Sequence, residues 1–484
     1  MRTKRNTVCH TCRRHKIGCD GKQPTCTQCQ LTGRECGGYV QEMIIFHHTP
    51  PAPPIRKGKD ALRPKSVDPS EQASQGQFTT VRSQSCPYTG DIPPSPPTWE
   101  ESVAFLVQQY IPQDEIPLLA HLGGPSSRIC GGWVQALPHV DQSNENFENM
   151  LLPAVRALTL SMTVADTSSQ QQYLNTYVDA LQGIRCRLAS HNELTDNVAA
   201  LAGMCLTLSE ALTPTSNDGW KSHLRGVAAM MQDQGPMAFV DGIHHLLFVG
   251  FRPLIVLDSL THRKCTFLAE ESWRTIPFSK ERSSSMQELL GHGASLASLL
   301  ALIDSGTMDV SEAQSSLSLV TQTLLDWEKS RLQSGHIGYW AIAPAHLKLS
   351  TEFLGLPDMC FAFPDITSAN ALAHCWAFRV ACLLEVLDLE QPSSEASSPG
   401  EATQNGRSWR ASILDLSMLI CQGLPFLLQQ NMGLYGPLSA SFPLDMVSKS
   451  IKRLNLKNHR IATWHGSILK HVKLRRVPSM ARQT

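Results

Sequence analysis

The sequence predicts a chain of three parts: a small cysteine-stapled module, a disordered linker and a large all-α domain. Six of the fifteen cysteines lie within residues 9–36, and eleven of the thirty prolines lie within residues 47–100. Apolar residues beyond position 100 recur at helical spacing. These changes in composition place the parts at residues 1–45, 46–100 and 101–445, with a disordered insertion at 390–408 and a basic tail at 446–484.

The charge is unevenly distributed along a chain whose formal net charge is zero. Residues 1–45 hold eight Lys/Arg and three Asp/Glu, and residues 446–484 hold ten Lys/Arg and no acidic residue. Two basic ends therefore flank an acidic middle, which indicates anionic partners for the ends. The start has no secretory signal, and the longest apolar stretch is interrupted by Arg252 and Pro253. We therefore expect an intracellular protein with reduced thiols and no membrane contact.

The amino-terminal cysteines repeat one spacing twice. They read C-x2-C-x6-C-x6-C-x2-C-x6-C, so each half contains a CxxC followed by a third cysteine. Thiolates are the soft ligands that Zn²⁺ prefers, with four donors around each metal. Six thiolates supply the eight donor positions of two tetrahedral zinc ions if two of them bridge. The alternative from spacing alone is one four-thiolate site with two cysteines left over.

Residues 5–40 resemble the Zn(II)2Cys6 binuclear-cluster DNA-binding domain of fungal transcription factors, because all six cysteines have that family's spacing. The resemblance implies a zinc-stapled module of two short helices around a binuclear cluster of two Zn(II) ions. It further implies that the first and fourth cysteines, Cys9 and Cys26, bridge the metals. The other implied ligands are Cys12, Cys19, Cys29 and Cys36.

In that family the helix after the first CxxC enters the major groove of double-stranded DNA, and here that helix is "RRHKIG". Lys16 lies where the family has a lysine that reaches the guanines of a CGG triplet. The resemblance gives phosphate contacts to Arg13, Arg14 and His15. Family members often have a basic residue in place of His15 and of Gly18, so we expect weaker but still salt-dependent affinity. The resemblance thus implies a nuclear, sequence-specific regulator of RNA polymerase II transcription.

Two other interpretations of the cysteine-rich segment remain open. It could be a structural zinc module that binds a protein or supports a metabolite-binding regulator, with only non-specific DNA contact, or it could be a redox dithiol site. The basic residues between the ligands favour DNA binding, because a solvated charge run has no reason to lie there. His10 lies inside the first CxxC, but six thiols already satisfy both metals, so we do not expect it to be a ligand.

The predicted linker is rich in Pro, Ser and Gln, the composition of a disordered segment. Its stretch "IRKGKDALRPK" holds five cations and fits a nuclear import signal, an additional phosphate contact or an ordinary solvated linker. The prolines exclude a heptad repeat between Tyr39 and Glu100. A homodimer is therefore possible only through contacts other than a coiled coil in this segment.

From residue 101 onward the pattern is helical. Residues Tyr173, Tyr177, Leu181, Ile184 and Leu188 recur at steps of three and four, as expected for one face of a helix. A second periodic run extends from Leu317 to Trp327, and "SNDGWKSHLRGVAAMMQDQGP" carries its own start and stop signals. The further predicted helices are residues 101–111, 146–164, 196–212, 285–304, 367–389 and 410–430.

The body also resembles the helical regulatory domain found behind the zinc cluster in many fungal regulators. The resemblance is carried by "WKSHLRGVAAMMQDQGP" and "HHLLFVGFRPLIVLDSLTHRKCTFLAEESWRTIPF". It implies a helical effector domain that sets activity and names no ligand, and transcription co-regulators are possible partners. The body has no hydrolase, zinc-protease or nucleotide-binding motif, and His223, His244 and His245 fit core or boundary positions, so we expect no enzyme. The basic tail fits DNA contact, nuclear import or a solvated extension.

Overall fold

A computed structural model gives the structure of the chain, which divides into two compact units, residues 1–90 and residues 91–484. Most of the predicted linker, residues 46–96, lies outside the described residues. So do Arg13, Arg14, Lys16 and residues 391–403 of the predicted insertion. The structure describes residues 9, 11–12, 15, 17–22, 25–34, 36, 97–115, 132–144, 146–164, 166–189, 197–349, 355–390 and 404–474.

The second unit is a large helical body, as predicted. The amino-terminal unit contributes α1, a short helix. The helices are α1 (Thr27–Leu31), α2 (Trp99–Tyr110), α3 (Leu152–Thr163), α4 (Thr167–Ala189), α5 (Asn197–Leu212), α6 (Gly219–Gln234), α7 (Gly242–Thr261), α8 (Glu271–Thr275), α9 (Ser285–Asp304), α10 (Val310–Gln333), α11 (Ile366–Leu389), α12 (Gln404–Leu427), α13 (Tyr435–Arg453) and α14 (Arg460–Leu474). A π-helical turn, Phe147–Leu151, leads into α3.

Short polar side chains set where several helices begin. Thr98 and Glu101 form a reciprocal capping box at the start of α2. Asp309 accepts from the Glu312 amide to start α10, and Asp365 accepts from the Ser368 amide to start α11. These caps satisfy amides that have no partner within a helix, so the sequence itself fixes the boundaries.

The core of the body is centred on α11. Eighteen of its 24 residues are buried, and it packs against α9, α10, α12 and α13. A helix that is apolar on all sides has to be covered on all sides, which the four neighbours accomplish. Helix α5 is similarly enclosed, with 14 of its 16 residues buried between α3 and α6.

One small sheet interrupts the helical body. Strand β1 (Trp340–Ile342) pairs antiparallel with β2 (Cys360–Ala362), and Trp340 lies opposite Ala362. This differs from the all-α body that the sequence predicts. Strands of three residues are too short to show alternation, and this pair is stabilised by covering the core beside α12.

The predicted boundary at residue 445 falls inside α13. Residues 446–453 continue that helix, and α14 then buries Ile461, Ile468 and Val472 completely. The helical body therefore extends at least to residue 474 instead of giving way to a tail. The predicted insertion also ends earlier than residue 408, because α12 begins at Gln404.

Three helices are long and apolar enough to cross a membrane by length and composition: Gly242–Thr261, Ser285–Asp304 and Ser408–Leu427. The expectation of no membrane contact rested on uninterrupted apolar runs, whereas mean hydropathy over a whole helix tolerates single charged residues such as Arg252. Within the body these stretches are 61%, 56% and 50% buried, respectively. Their apolar residues thus pack against neighbouring helices.

Candidate metal centre and nucleic-acid interface

Each CxxC forms the same local turn. The backbone amide of Cys12 donates to the Sγ of Cys9 at 3.3 Å, and the amide of Cys29 donates to the Sγ of Cys26, also at 3.3 Å. Such amide–sulfur bonds lower the cost of negative charge on the accepting sulfur, because they satisfy the thiolate form. The two sulfurs that accept are the first of each CxxC.

The backbone after each CxxC repeats as well. The amide of His15 donates to the Thr11 carbonyl at 3.1 Å, and 17 residues further on the amide of Thr32 donates to the Gln28 carbonyl at 3.2 Å. Both bonds span four residues, as in an α-helical turn. The duplicated cysteine spacing therefore corresponds to a duplicated backbone conformation, in which a helical turn follows each CxxC.

The four sulfurs of the two CxxC pairs lie at the spacing of metal ligands. Sγ of Cys9 lies 3.7 Å from Sγ of Cys26 and 3.7 Å from that of Cys29. Sγ of Cys12 lies 3.6 Å from Sγ of Cys26 and 3.8 Å from that of Cys29. A tetrahedral zinc site with Zn–S bonds of about 2.3 Å has sulfur–sulfur edges of about 3.8 Å. The observed spacing fits thiolate ligands around zinc.

The six cysteines form two groups of four that overlap. In each group the Sγ atoms all lie within 4.8 Å of one another. Cys9 and Cys26 belong to both groups. The first group adds Cys12 and Cys19, and the second adds Cys29 and Cys36. Two tetrahedral metals that share Cys9 and Cys26 match this arrangement, so the cysteines are positioned to hold both ions.

Burial protects the cluster from solvent and disfavours free thiolates. Cys9, Cys12, Cys26 and Cys29 are buried, whereas Cys19 and the sixth cysteine are half-buried. Burial, together with the adjacent thiols of Cys26 and Cys9, raises the pKa of the Cys29 thiol to about 12. Burial also raises the pKa of Cys12. Zinc binding therefore has to displace protons, which makes loading pH-dependent.

Asp20 links the two halves, a contact that the sequence analysis did not foresee. Its carboxylate accepts from the amide of Thr27 at 3.0 Å and from the Thr27 hydroxyl. These hydrogen bonds, led by the hydroxyl, hold the pKa of Asp20 below its usual value. Thr27 is the first residue of α1, so Asp20 supports the start of that helix. The sequence feature that could have indicated this contact is the Asp directly after the third cysteine.

Of the four predicted DNA contacts, the structure describes only His15. Its side chain is exposed on the turn after the first CxxC, where it is accessible to an anionic partner. Arg13, Arg14 and Lys16 lie outside the described residues, as does His10. In the second half, Leu31 is 77% exposed and Arg34 is also exposed. In the duplicated spacing, Leu31 corresponds to Arg14 and Arg34 corresponds to Ile17. The two halves of the sequence therefore have their cations and apolar residues at different positions.

The histidines of the body that the sequence analysis considered lie in the helical packing. His245 is 1% exposed and its Nδ1 lies 3.1 Å from the Phe239 carbonyl oxygen. His223 is half-buried and its Nε2 lies 2.6 Å from the Tyr177 hydroxyl. Burial lowers the pKa of His223 to about 4. Both side chains therefore take part in packing and hydrogen bonding, as predicted.

Two curated fungal proteins are similar to parts of this chain. An uncharacterized protein of Emericella nidulans, AN5342, is 25% identical over 154 residues, which cover 31% of this chain and 32% of that protein. The transcriptional regulatory protein moc3 of Schizosaccharomyces pombe is 36% identical over 96 residues, 19% of each chain. The chain thus spans less than a third of the length of these relatives. No solved structure matches it.

The family comparison covers the segment that holds the cysteine cluster. The model of the fungal Zn(2)-Cys(6) binuclear cluster domain matches residues 7–42, which include all six cysteines of the two overlapping groups. This domain binds two zinc ions, and the sulfur spacing described above fits them. Residues 7–42 of this chain are therefore a fungal Zn(2)-Cys(6) binuclear cluster domain.

Proposed function

We propose that this protein is a nuclear transcription factor that binds double-stranded DNA and regulates RNA polymerase II genes. The observation that carries the proposal is the zinc-binding geometry of six cysteines, and the sequence has basic residues between the second and third of them. The similarity to a transcriptional regulatory protein of Schizosaccharomyces pombe supports the same function.

In this proposal the thiolates act by fixing the shape of the module. Cys9 and Cys26 would be shared by the two metals, and Cys12, Cys19, Cys29 and Cys36 would complete the ligand sets. Zn(II) supplies a structural cross-link that so short a segment could not replace with a hydrophobic core. Six thiolates around two Zn²⁺ carry a formal charge of about −2, which adjacent cations offset.

The turn after the first CxxC is the proposed reading surface. Lys16 donates to the O6 and N7 acceptors of guanine in a CGG-like triplet. Arg13, Arg14 and His15 contact phosphates, which position the module without reading sequence. The second half carries one exposed cation, Arg34, and an exposed apolar residue, Leu31. This difference in charge favours base reading by the first half.

The helical body is the proposed regulatory part. It contains no recognised catalytic motif, and His223 and His245 take part in packing and hydrogen bonding, which supports a non-enzymatic role. Its surface contacts transcription co-regulators, with no membrane contact. A homodimer would form without a coiled coil, because prolines interrupt the segment between the module and the body.

The test is a binding selection with the full chain from random duplex DNA, run with zinc and again after chelation. Enrichment of a CGG-like triplet that disappears on chelation supports the proposal. Lys16→Ala should abolish the sequence preference while the zinc content stays at two per chain. Arg34→Ala removes one cation from the other half and should only weaken binding to all sequences, more so at low salt.

A different outcome would favour the second candidate, a zinc-stapled regulator that binds a protein or metabolite. Equal, salt-sensitive binding to all sequences would indicate only phosphate contact. An unchanged preference in Lys16→Ala would remove this lysine from base reading. The exposed Leu31 beside the cluster is the observation that favours the second candidate, because an apolar residue there suits a protein surface better than a phosphate backbone.

A further inference from the structure

The helical body contains a cavity of about 390 Å³. It lies where α7, α11 and α13 meet, and residues of α2, α5, α6 and α9 complete its walls. This volume is within the range of pockets that hold small organic ligands, about 300–1,000 Å³. The cavity belongs to the second unit alone, and the inference below does not depend on DNA binding.

Two buried polar side chains on α11 line the cavity without satisfying all their hydrogen-bonding atoms. His374 is 1% exposed and Asn370 is 3% exposed. Nε2 of His374 and Oδ1 of Asn370 have no hydrogen-bond partner. Buried polar atoms in folded proteins are nearly always paired with protein, water or ligand. These two atoms therefore indicate a partner that the protein does not itself supply.

The other contacts of these side chains define what the partner must offer. Nδ1 of His374 lies 2.8 Å from the Asn370 carbonyl oxygen, which can only accept, so Nδ1 carries the proton. Burial lowers the pKa of His374 to about 4, which keeps the ring neutral at pH 7 and leaves Nε2 as an acceptor. Asn370 uses Nδ2 to donate to the Tyr435 hydroxyl at 2.9 Å. Both unpartnered atoms are therefore acceptors.

Helix α13 adds a third acceptor to the lining. Pro443 lies inside α13 and has no N–H, so the carbonyl of Ser439, four residues earlier, lacks its usual helical donor. Ser439 lines the cavity. Pro253 creates the same gap in α7, but there the carbonyl of Val249 accepts from Nε2 of Gln287 at 3.0 Å. A side chain thus supplies the donor that Pro253 removes from α7, whereas the carbonyl that loses its helical donor to Pro443 belongs to a residue of the cavity lining.

The charged groups of the cavity are paired with each other. His262 lies 3.0 Å from Asp258, and Lys449 lies 2.9 Å from Asp445. The Lys449 side chain is 45% exposed, which places this pair at the solvent side of the lining. His262 is charged only when it is protonated, and Oδ1 of Asp258 has no hydrogen-bond partner, so this carboxylate adds a further acceptor to the lining. The remaining walls are largely apolar and aromatic, with Trp220 and Phe442 among them.

We propose that this cavity binds a mainly apolar ring compound that carries a hydroxyl group. The ring packs against the apolar walls, and the hydroxyl donates to Nε2 of His374 or Oδ1 of Asn370. A molecule of this class supplies the donor that these buried acceptors lack. A bicyclic phenol has the size and polarity required.

The test uses two probes of the same shape, 2-naphthol and 2-methoxynaphthalene, with the zinc-loaded full chain. Both carry the same ring system, but only 2-naphthol can donate a hydrogen bond. We expect saturable one-to-one binding of 2-naphthol, followed by its fluorescence. The methoxy compound should bind at least about tenfold more weakly, because it leaves the buried acceptors unpaired. Equal affinities, or no saturable binding of 2-naphthol because the cavity holds only water, would overturn the proposal.

Three variants assign the binding to this cavity. His374→Phe removes the acceptor with little change of shape and should weaken 2-naphthol binding about tenfold. Its matched control is His245→Phe, since His245 is equally buried and also has an unpartnered Nε2 but does not line the cavity. Ser439→Phe adds bulk to the lining without removing a core side chain, and it should abolish binding of both probes. Unchanged binding in both His374→Phe and Ser439→Phe would overturn the proposal. If a variant fails to fold, the comparison of the two probes on the wild-type chain still tests whether binding requires a hydrogen-bond donor.

Discussion

Glu328 on α10 accepts a hydrogen bond from the indole Nε1 of Trp376 on α11, with 2.7 Å between Oε1 and Nε1. Its other carboxylate oxygen lies 2.7 Å from a guanidinium nitrogen of Arg379, one turn further along α11. Glu328 is 7% exposed and Trp376 is fully buried. One carboxylate thus joins two core helices through a neutral donor and a cation, so both of its oxygens are satisfied.

Removing this carboxylate should destabilise the body strongly. Glu328→Ala leaves the indole without its acceptor and Arg379 without its counter-charge in a buried setting. We expect a loss of about 3–5 kcal/mol in the free energy of unfolding, measured by urea denaturation. Asp326→Ala is the control, because Asp326 is exposed on the same helix and bonds only Gln322. Similar losses in both variants would argue against the buried network.

Two helical glycines should respond to alanine with opposite signs. At Gly183 on α4, an added Cβ would collide with the backbone carbonyl of Asn149 in the π-helical turn. At Gly226 on α6 an added Cβ would meet nothing within 4 Å. Gly226→Ala should therefore stabilise the body by about 0.5–1 kcal/mol through helix propensity, whereas Gly183→Ala should destabilise it by more than that. Thermal unfolding of the two variants measures the difference, and a shift in the same direction for both would contradict the close packing of α4.

The sequence predicted the helices best where apolar periodicity and capping residues agreed. The range predicted as 285–304 is the observed α9, and 196–212 differs from α5 by one residue. The prediction of a basic tail at residues 446–484 rested on net charge and missed α14. Ile461, Trp464, Ile468 and Val472 repeat at helical spacing, and all are buried, while the lysines occupy the opposite face.

The cysteine cluster could be predicted and the cavity could not, for a physical reason. Zinc ligation imposes a spacing on residues that are close in sequence, so six cysteines are informative by themselves. The cavity depends on Asn370, His374 and Ser439, which tertiary packing brings together from different helices. Along the chain, Asn370 and His374 are two polar residues among the buried apolar residues of α11, a pattern that fits ordinary core packing equally well.

Acid should weaken the body partly through His374. Burial lowers the pKa of this histidine from its usual 6.5 to about 4. Between these values the unfolded chain binds a proton that the folded chain does not, so stability rises with pH in this window and is lost as pH falls from 6.5 towards 4. The total contribution of His374 is about 3 kcal/mol.

Urea denaturation of the wild type and His374→Phe between pH 4 and 7.5 measures this effect. The difference between the two proteins should be constant above pH 6.5 and should shift in favour of the variant below it. His346→Phe, which replaces an exposed histidine, controls for the loss of a surface imidazole. A difference that does not vary with pH would show that His374 titrates normally in the folded protein.

Zinc content should distinguish bridging cysteines from terminal ones. Cys26 belongs to both groups of four sulfurs, whereas Cys19 belongs to one. Cys19→Ser should therefore keep the other site and retain about one of the two zinc ions, because that site has all four thiolates. Cys26→Ser weakens both sites and should retain less. Metal analysis of desalted protein measures the content, with Cys265→Ser, an exposed cysteine outside the cluster, expected to keep both ions. Equal retention in Cys19→Ser and Cys26→Ser would mean that the metals share no ligand at position 26.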